Sequence, residues 1–527
     1  MPKANEGKTA GHYKFQEARS GEIIPAWLDS SGSAHPLHST VDPRREARRL
    51  IDTVESGAFL VLLGLGGGFH AEAALDREDI GMVLVIEFGL DSLEELLCHI
   101  DFTRLFGDPR FRLFVDIPNG ELERQILNLY QPALYSSFKV IPLRSRTSLE
   151  PGPFGIIAKV IDSALSQVSQ DYSVQAHFGR RWFSNIVRNI KGAESDYGDI
   201  PSVRRAAVCA AGPSLSLKIP ALRERREEEK KRGEINNGIF IIATDTSLPC
   251  LLNGGVKPDA VISIDCQHYS YYHFMEALPE ETFLFLDLAS PPLLASRSKR
   301  LKFITGGHPF TRYISQTWKA LLELDTSGGN VCQAAVSLAQ QLGAREIELY
   351  GADFSYPLGV TYARGAYIYM LFERRQNRLS PLEAQASAFL YRTPLEKKVG
   401  PESISWRYET QILNFYREKL KEKIESMEVS FAQEERPQKV FTTGEAAMDS
   451  GEFLRRYKTE ISSLPKPGKN VGVYLAKLSG EARSVFTTIL PLAAALKHRR
   501  PKVEFGDLIE ETKSFCIKEI DAVINSQ

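Results

Sequence analysis

Two apolar runs in this chain are each closed by a glycine-containing turn and followed by a helical pattern, and that recurrence limits the fold more than any other feature. In the first, Ala58 to Leu63 is a continuous apolar strand, Gly64-Leu-Gly-Gly-Gly68 a tight loop and Phe69 to Leu75 the opening of a helix. Met82 to Ile86 then supplies a second strand ending at Glu87, which completes a parallel βαβ unit. Leu90 to His99 and Phe111 to Val115 add a helix and a strand before the Pro/Gly/Arg/Ser-rich stretch Pro142 to Gly155. The second series runs through Ala206 to Ala211, Ile239 to Thr244, Ala260 to Ile264, Phe283 to Leu288 and Glu346 to Tyr350, with long helical patterns between several of them. Strands that are apolar throughout need cover on both faces, so each series predicts an α/β layer with parallel crossovers.

A chain of 527 residues exceeds one domain of ~150. The pattern predicts a Rossmann-like domain over residues 1–145, a bridging helix over 156–192 with Trp182, Ile186 and Ile190 on one face, a second α/β domain over 193–380, and a helical region over 381–527. In that last region Ser403 to Met427, Gly444 to Tyr457 and Ala482 to His498 read as helices, with Pro491 a candidate kink. The first forty residues are weakly patterned. Lys+Arg (65) nearly cancels Asp+Glu (66), so no global field draws the chain to nucleic acid or an anionic membrane. Six scattered cysteines without a CxxC pair give neither a disulfide framework nor a zinc site. The opening Met-Pro-Lys-Ala-Asn-Glu-Gly-Lys has no apolar core, and the runs Phe59 to Leu65 and Thr487 to Leu496 are too short or too broken to span a bilayer. The expectation is a soluble, cytoplasmic protein with no nucleic-acid partner and no membrane span.

Gly64, Gly66 and Gly68, with Glu87 some twenty residues on, read either as a nucleotide-binding turn or as a tight turn in a layer that binds nothing. After the first strand of the second series, Gly212 permits close approach, Pro213 suits a first helical turn and Ser214 can donate to a phosphate; an ordinary capped helix is the alternative. Asp245, Asp265 and Asp353 fall at carboxyl ends of expected strands, where each could bind a ribose hydroxyl, hold a divalent cation or cap a helix. Asp325-Thr326-Ser327-Gly328-Gly329-Asn330 directly precedes a helical run and makes an anion cradle. The Tyr/Gly/Arg-rich segment Ser355 to Tyr367, with Tyr356 near its start, reads as a loop that offers hydroxyls and a cation to a polar substrate, or as a plain surface loop. The charged run Arg223 to Arg232 is a solvated helix face or a phosphate patch, and the cluster His268 to Phe274 is a site wall or simple packing.

Taken in order, Gly212-Pro-Ser-Leu215, Ile241 to Leu248, Gly255 to Asp265, Thr326-Ser-Gly-Gly-Asn330 and Leu342 to Asp353 resemble the core of the motility-associated factor (Maf) flagellin glycosyltransferases, also called the MptE-like domain. Leu37 to Ala47, the Gly64 loop with Glu87, and Phe178 to Asn185 resemble that family's amino-terminal half and bridging helix. The resemblance implies an α/β fold of two Rossmann-like parallel-sheet domains, the second similar to sialyltransferase GT-A-like folds, with a helical carboxyl-terminal region. It also implies a cytoplasmic transferase that moves a nonulosonic, sialic-acid-like sugar from a CMP-activated donor to Ser or Thr of flagellin or another protein acceptor. In that reading Gly212, Pro213 and Ser214 face the phosphate or ribose, Asp245 and Asp265 line the donor pocket, and Thr326, Ser327, Gly328, Gly329 and Asn330 hold the CMP. Asp353 and Tyr356 lie beside the leaving phosphate. Members of the family often show Thr-His-Ala after the Asp353 region, whereas this chain has Thr361-Tyr362-Ala363; Tyr362 then joins Asp353 in the catalytic set as an acid or hydrogen-bond donor, not a base. No metal or firm cofactor beyond the nucleotide-sugar is implied. The archaeal MptE relatives imply a second reading, diphosphate transfer from ATP to a hydroxymethyl pterin with Mg²⁺ on Asp245, Asp265 and Asp353. A non-catalytic flagellar assembly protein and an S-adenosylmethionine-dependent methyltransferase built on the Gly64 loop are the remaining classes.

Overall fold

The computed structural model describes residues 12–196, 198–233, 238–399, 406–433, 442–443 and 445–526. The opening eight residues read above lie outside these, as do residues 403–405 and 444 at the starts of two expected helices. The chain divides into two units, Met1–Arg180 with Thr459–Ile517 and Arg181–Lys458 with Lys518–Gln527. These do not coincide with the four segments expected from the pattern. The helix Pro151–Glu194 begins inside the Pro/Gly/Arg/Ser-rich stretch that separates the first two expected segments and carries residues of both units. Pro151 and Pro153 stand in its first turn, where a missing N–H is no loss, so this Pro/Gly signal marks a helix start. The last third of the chain is shared between the units.

In the first unit, strands β1 (Tyr13–Glu17), β2 (Ile23–Leu28) and β3 (Ala34–Pro36) form an antiparallel meander within the weakly patterned first forty residues. Four parallel strands, β4 (Phe59–Leu63), β5 (Met82–Glu87), β6 (Phe111–Val115) and β7 (Phe138–Pro142), make a sheet in the order β6-β5-β4-β7. Every residue of β4 and β5 is buried, as their unbroken apolar runs require. The β7 strand, half exposed at the sheet edge, has no such run. The helix Gly480–Arg499 carries Pro491 inside it, and Gly179 lies so close to the Pro491 carbonyl that a Cβ there would overlap it.

The second unit holds strands β8 (Gly198–Asp199), β9 (Arg205–Cys209), β10 (Phe240–Thr244), β11 (Ala260–Ser263), β12 (Phe283–Asp287), β13 (Leu301–Thr305), β14 (Leu322–Glu323), β15 (Glu346–Tyr350), β16 (Tyr356–Pro357), β17 (Glu396–Val399), β18 (Trp406–Glu409) and β19 (Thr442–Thr443). Seven of them form one parallel sheet in the order β14-β13-β12-β11-β10-β9-β15. The pattern missed β13, whose apolar run is interrupted by Lys302, a buried lysine paired with Asp196 at 3.2 Å. It also missed the two-residue β14. Ala334, Ala335, Val336, Leu338 and Ala339 of the helix Val331–Gln341 are buried in the core on β9, β10 and β11. β17 and β18 lie inside the region expected to be helical and pair antiparallel with each other, while β16, from the preceding segment, pairs antiparallel with β18; the helix Gln411–Gln433 follows β18. Among the described residues no helix is long and apolar enough to cross a membrane.

Candidate functional site

In the seven-stranded sheet the chain leaves β9 toward β10 and works outward to β14, then returns through the helix Val331–Gln341 to place β15 on the other side of β9. The loops after β9 and β15 therefore depart in opposite directions, and a crevice opens between their carboxyl ends. A cavity of about 220 Å³ occupies that position. Its walls come from residues 210–212 after β9, residues 351–356 after β15, residues 330–332 at the start of the returning helix, and Thr361, Tyr362 and Tyr416.

Backbone and side chain lock the two loops together. The Gly212 N–H donates to the Gly351 carbonyl at 2.8 Å, and the Ser214 N–H donates to Asp353 Oδ2 at 2.9 Å. A Cβ on Gly212 would overlap both Asp353 Oδ2 and the Gly351 carbonyl oxygen, so this position accepts only glycine. The Asp353 carboxylate thus sits at the positive start of the helix Leu215–Lys231, where an anion is favoured. The Ala363 N–H donates to the Ala211 carbonyl at 2.9 Å, which holds the loop carrying Tyr362 at the cavity.

The turn before the returning helix is organised around Asp325. Its Oδ1 accepts the Ser327 N–H at 3.1 Å and hydroxyl at 2.6 Å, while Oδ2 pairs with Lys423 Nζ at 3.0 Å. The hydroxyl of Thr326 donates to the Gly306 carbonyl at 2.9 Å. Asn330 caps the helix by accepting the Gln333 N–H at 2.9 Å. Gln333 is 3% exposed, its side chain fills the space where Gly328 would carry a Cβ, and its Oε1 has no hydrogen-bond partner.

Titratable groups gather along the same carboxyl edge. Asp245 is buried; Oδ1 accepts the Thr246 N–H at 2.7 Å and Oδ2 the Ser263 hydroxyl at 2.7 Å. Burial pushes the Asp265 carboxyl above its ordinary range, and the charge of Asp245 adds to the shift. Burial likewise pushes the Tyr362 hydroxyl up to about 12, and raises Tyr356 and Tyr367; the positive charge of Arg392 acts on all three in the opposite sense. His273 is 8% exposed, stands edge-on to the Tyr367 ring at 4.4 Å, and buries an Nδ1 that has no partner. Asp287, at the end of β12, is buried and raised to about 6, although it accepts the Ala289 N–H at 2.8 Å. The three sequence-selected aspartates do not fit a magnesium cage. Asp353 is turned onto Ser214 and Asp245 onto Ser263, and among the described residues no three His, Cys, Asp or Glu side chains gather where they could hold a metal ion.

The corresponding crevice of the four-stranded sheet, between β4 and β7, is filled. A Cβ on Gly64 would lie 3.2 Å from Leu143 and Arg146 side-chain atoms, and one on Gly66 would overlap the His38 ring. The Gly67 N–H donates to His38 Nε2 at 2.8 Å, where a ligand phosphate would otherwise sit. Glu87 and Arg146, both fully buried, pair at 3.2 Å, and the Arg146 guanidinium lies 4.2 Å from the Trp27 ring centroid. The remaining Glu87 oxygen accepts the Leu65 N–H at 2.8 Å.

Of the residues selected from sequence, Gly212, Asn330, Asp353, Tyr356 and Tyr362 line the open cavity. Ser214 is tied to it through Asp353. Pro213, Asp245, Asp265 and Thr326, Ser327, Gly328 and Gly329 are not among its walls, although Gly329 approaches the wall residue Tyr416, with a Cβ there 3.4 Å from the ring. The charged run belongs partly to the fold, since Arg226 binds Asp259 at 2.7 Å and Arg225 binds Glu348 at 2.9 Å. Sequence reasoning passed over Asp287, Arg392 and Tyr416. The strand-end position of Asp287 was a usable signal; Arg392 and Tyr416 lie beyond the motifs.

The MptE-like family, described as 6-hydroxymethylpterin diphosphokinase MptE-like, matches residues 180–359. An uncharacterized protein of Treponema pallidum (strain Nichols) is 29% identical over 175 residues, 33% of this chain and 79% of that protein. Another from the same organism is 38% identical over 150 residues, 28% of this chain and 52% of that protein, so the match spans about half its length. Among solved structures, that of a Maf glycosyltransferase from Magnetospirillum magneticum AMB-1 matches with a TM-score of 0.53 and 12% identity, over 98% of this chain and 91% of that one. At that identity the fold is what the two share.

Proposed function

Starting from residues 180–359 as an MptE-like domain, in a chain with the fold of a Maf glycosyltransferase, we propose that this protein is a transferase that moves a sugar from a nucleotide-activated donor to a protein. The observation that carries the reading is the switch-point cavity, where the Gly212 loop, the Asp353 loop and the Asn330-capped helix start converge. The motif resemblance supplies the finer terms: a CMP-linked nonulosonic acid as donor, Ser or Thr of flagellin as acceptor, and the cytoplasm as the place of reaction.

The chemistry of such a transfer matches the groups at hand. Departure of CMP builds negative charge on the phosphate and positive charge on the sugar carbon, and fixed donors aimed at the phosphate lower that barrier. The helix start at Asn330 and the hydroxyls of Tyr356 and Tyr362 are such donors; a tyrosine raised to about 12 keeps its proton at neutral pH. Tyr362 cannot take the acceptor's proton at neutral pH. Of the cavity walls, Asp353 is the one carboxylate, so the base that takes the acceptor's proton is either Asp353 or a group of the acceptor protein.

A thermal-shift panel tests the reading. A ligand at 100 times its Kd stabilises by about 2.7 kcal/mol, so CMP should raise the Tm while S-adenosylmethionine should not. The family description favours one second reading, diphosphate transfer from ATP to a pterin. A shift with ATP and Mg²⁺ and none with CMP would establish that alternative and overturn the first. A gain in intact mass of flagellin on co-expression tests the acceptor.

A further inference from the structure

A second cavity, of about 890 Å³, lies in the first unit at the sheet end opposite the Gly64 loop. Its floor comes from residues just before the parallel strands: Ser56 and Gly57 before β4, Gly81 before β5, Arg110 before β6 and Ser136 before β7. The other wall comes from two segments, residues 466–477 and 497–505. The first is pinned to the sheet edge, because Asn470 Nδ2 donates to the Glu78 and Ile80 carbonyls at 2.8 Å each. Gly472 lies so close to the Gly81 carbonyl that a Cβ would overlap it.

These segments bring five lysines to one cavity: Lys466, Lys469, Lys477, Lys497 and Lys502. Of the lining carboxylates, Asp79 is taken by Arg77 at 2.7 Å and Asp108 by Arg110 at 2.7 Å; Glu78 and Glu504 are the others. Ammonium groups therefore outnumber the carboxylates that could balance them. Between the charges lie Leu134, Val471, Tyr474 and Phe505, an apolar surface. Tyr474 is 2% exposed and its hydroxyl is buried without a hydrogen-bond partner. A buried hydroxyl of this kind is destabilising until something pairs with it.

We propose that this cavity binds a small molecule that carries a phosphate or diphosphate on an apolar or aromatic body. Convergent lysines supply rotatable donors and point charges for several phosphate oxygens, and the apolar wall takes the body. The volume is that of a cavity for one cofactor-sized ligand. Two sources carry such a group, a nucleoside diphosphate and a prenyl diphosphate, and their bodies differ enough to be told apart. The site is separate from the switch-point cavity and does not depend on the transferase reading.

Calorimetric titration of the full chain with pyrophosphate, CDP and farnesyl diphosphate at fixed salt tests the proposal. The double variant Lys469→Glu/Lys477→Glu should weaken diphosphate binding at least tenfold with an unchanged Tm, and Lys502→Glu, on a separate segment, should weaken it severalfold. All three substitutions fall on exposed side chains. Tighter farnesyl diphosphate identifies the lipid source and tighter CDP the nucleotide source, provided the variants lose it. Pyrophosphate or farnesyl diphosphate binding that survives both variants, or no diphosphate binding that the variants weaken, would each overturn the proposal, whereas CDP binding that survives them is assigned to the switch-point cavity.

Discussion

In the four-stranded sheet the crevice between β4 and β7 is packed with Leu143, Arg146 and His38; in the seven-stranded sheet the crevice between β9 and β15 keeps about 220 Å³. Both sheets place the first strand beside the last, and both follow the first strand with a glycine turn and a helix. The difference is delivered by the second loop of each pair. After β7 come Leu143 and Arg146, large side chains that close on the glycines. After β15 come Gly351, Ala352 and Asp353, small residues and a carboxylate that organise the opposite loop without filling the space. A glycine loop therefore announces a switch point, and the loop across from it decides whether a ligand can enter.

The comparison breaks most visibly at Arg146. Removing it in Arg146→Met strands the buried Glu87 carboxylate, so urea unfolding should show a loss of about 3–5 kcal/mol, with CMP affinity of the folded protein unchanged. A loss below about 1 kcal/mol would mean the filled crevice is not held by that pair. Next in size, Gly212→Val should lower CMP affinity at least a hundredfold, about 2.8 kcal/mol, while Gly64→Val should leave it intact despite some loss of stability; equal effects of the two would erase the distinction. The third test is pH. Burial pulls His38 down to about 3, so it stays neutral in the fold while the unfolded chain takes up a proton below about 6.5. Its contribution is present above that pH and is lost on acidification, so stability should fall by about 2 kcal/mol between pH 7 and 5, and that part of the slope should vanish in His38→Gln. The smallest effect is expected from Asn330→Ala, which loses the helix cap and should cost about 1 kcal/mol with a modest loss of CMP affinity, measured in the same titrations.

The parallel strands with uninterrupted apolar runs were readable from sequence because burial on both faces leaves no polar position in them. β7, β13 and β14 were not: one is a half-exposed edge, one carries the ion-paired Lys302, and one is two residues long. Of the residues selected for the site, Gly212, Asn330 and Asp353 line the cavity because strand ends and a helix start fix their neighbourhoods, while Tyr356 and Tyr362, selected from the Tyr-rich loop and the family resemblance, are brought to it by the loop after β15. Ser327 read equally well, yet its hydroxyl serves Asp325, since a carboxylate two residues away is the nearest acceptor in that turn. Arg392 and Tyr416 reach the cavity region by tertiary folding alone. The filling of the Gly64 crevice was invisible for the same reason: His38 and Arg146 are distant in sequence from each other and come against the glycine loop only by tertiary folding.

Hydrogen exchange with and without CMP tests the central claim most directly, because it reads both crevices in one sample. The account predicts slower exchange on binding at residues 210–215, 328–333 and 351–363, with residues 64–68 unchanged. Protection at residues 64–68, or CMP binding that leaves the three second-sheet segments unprotected, would contradict it.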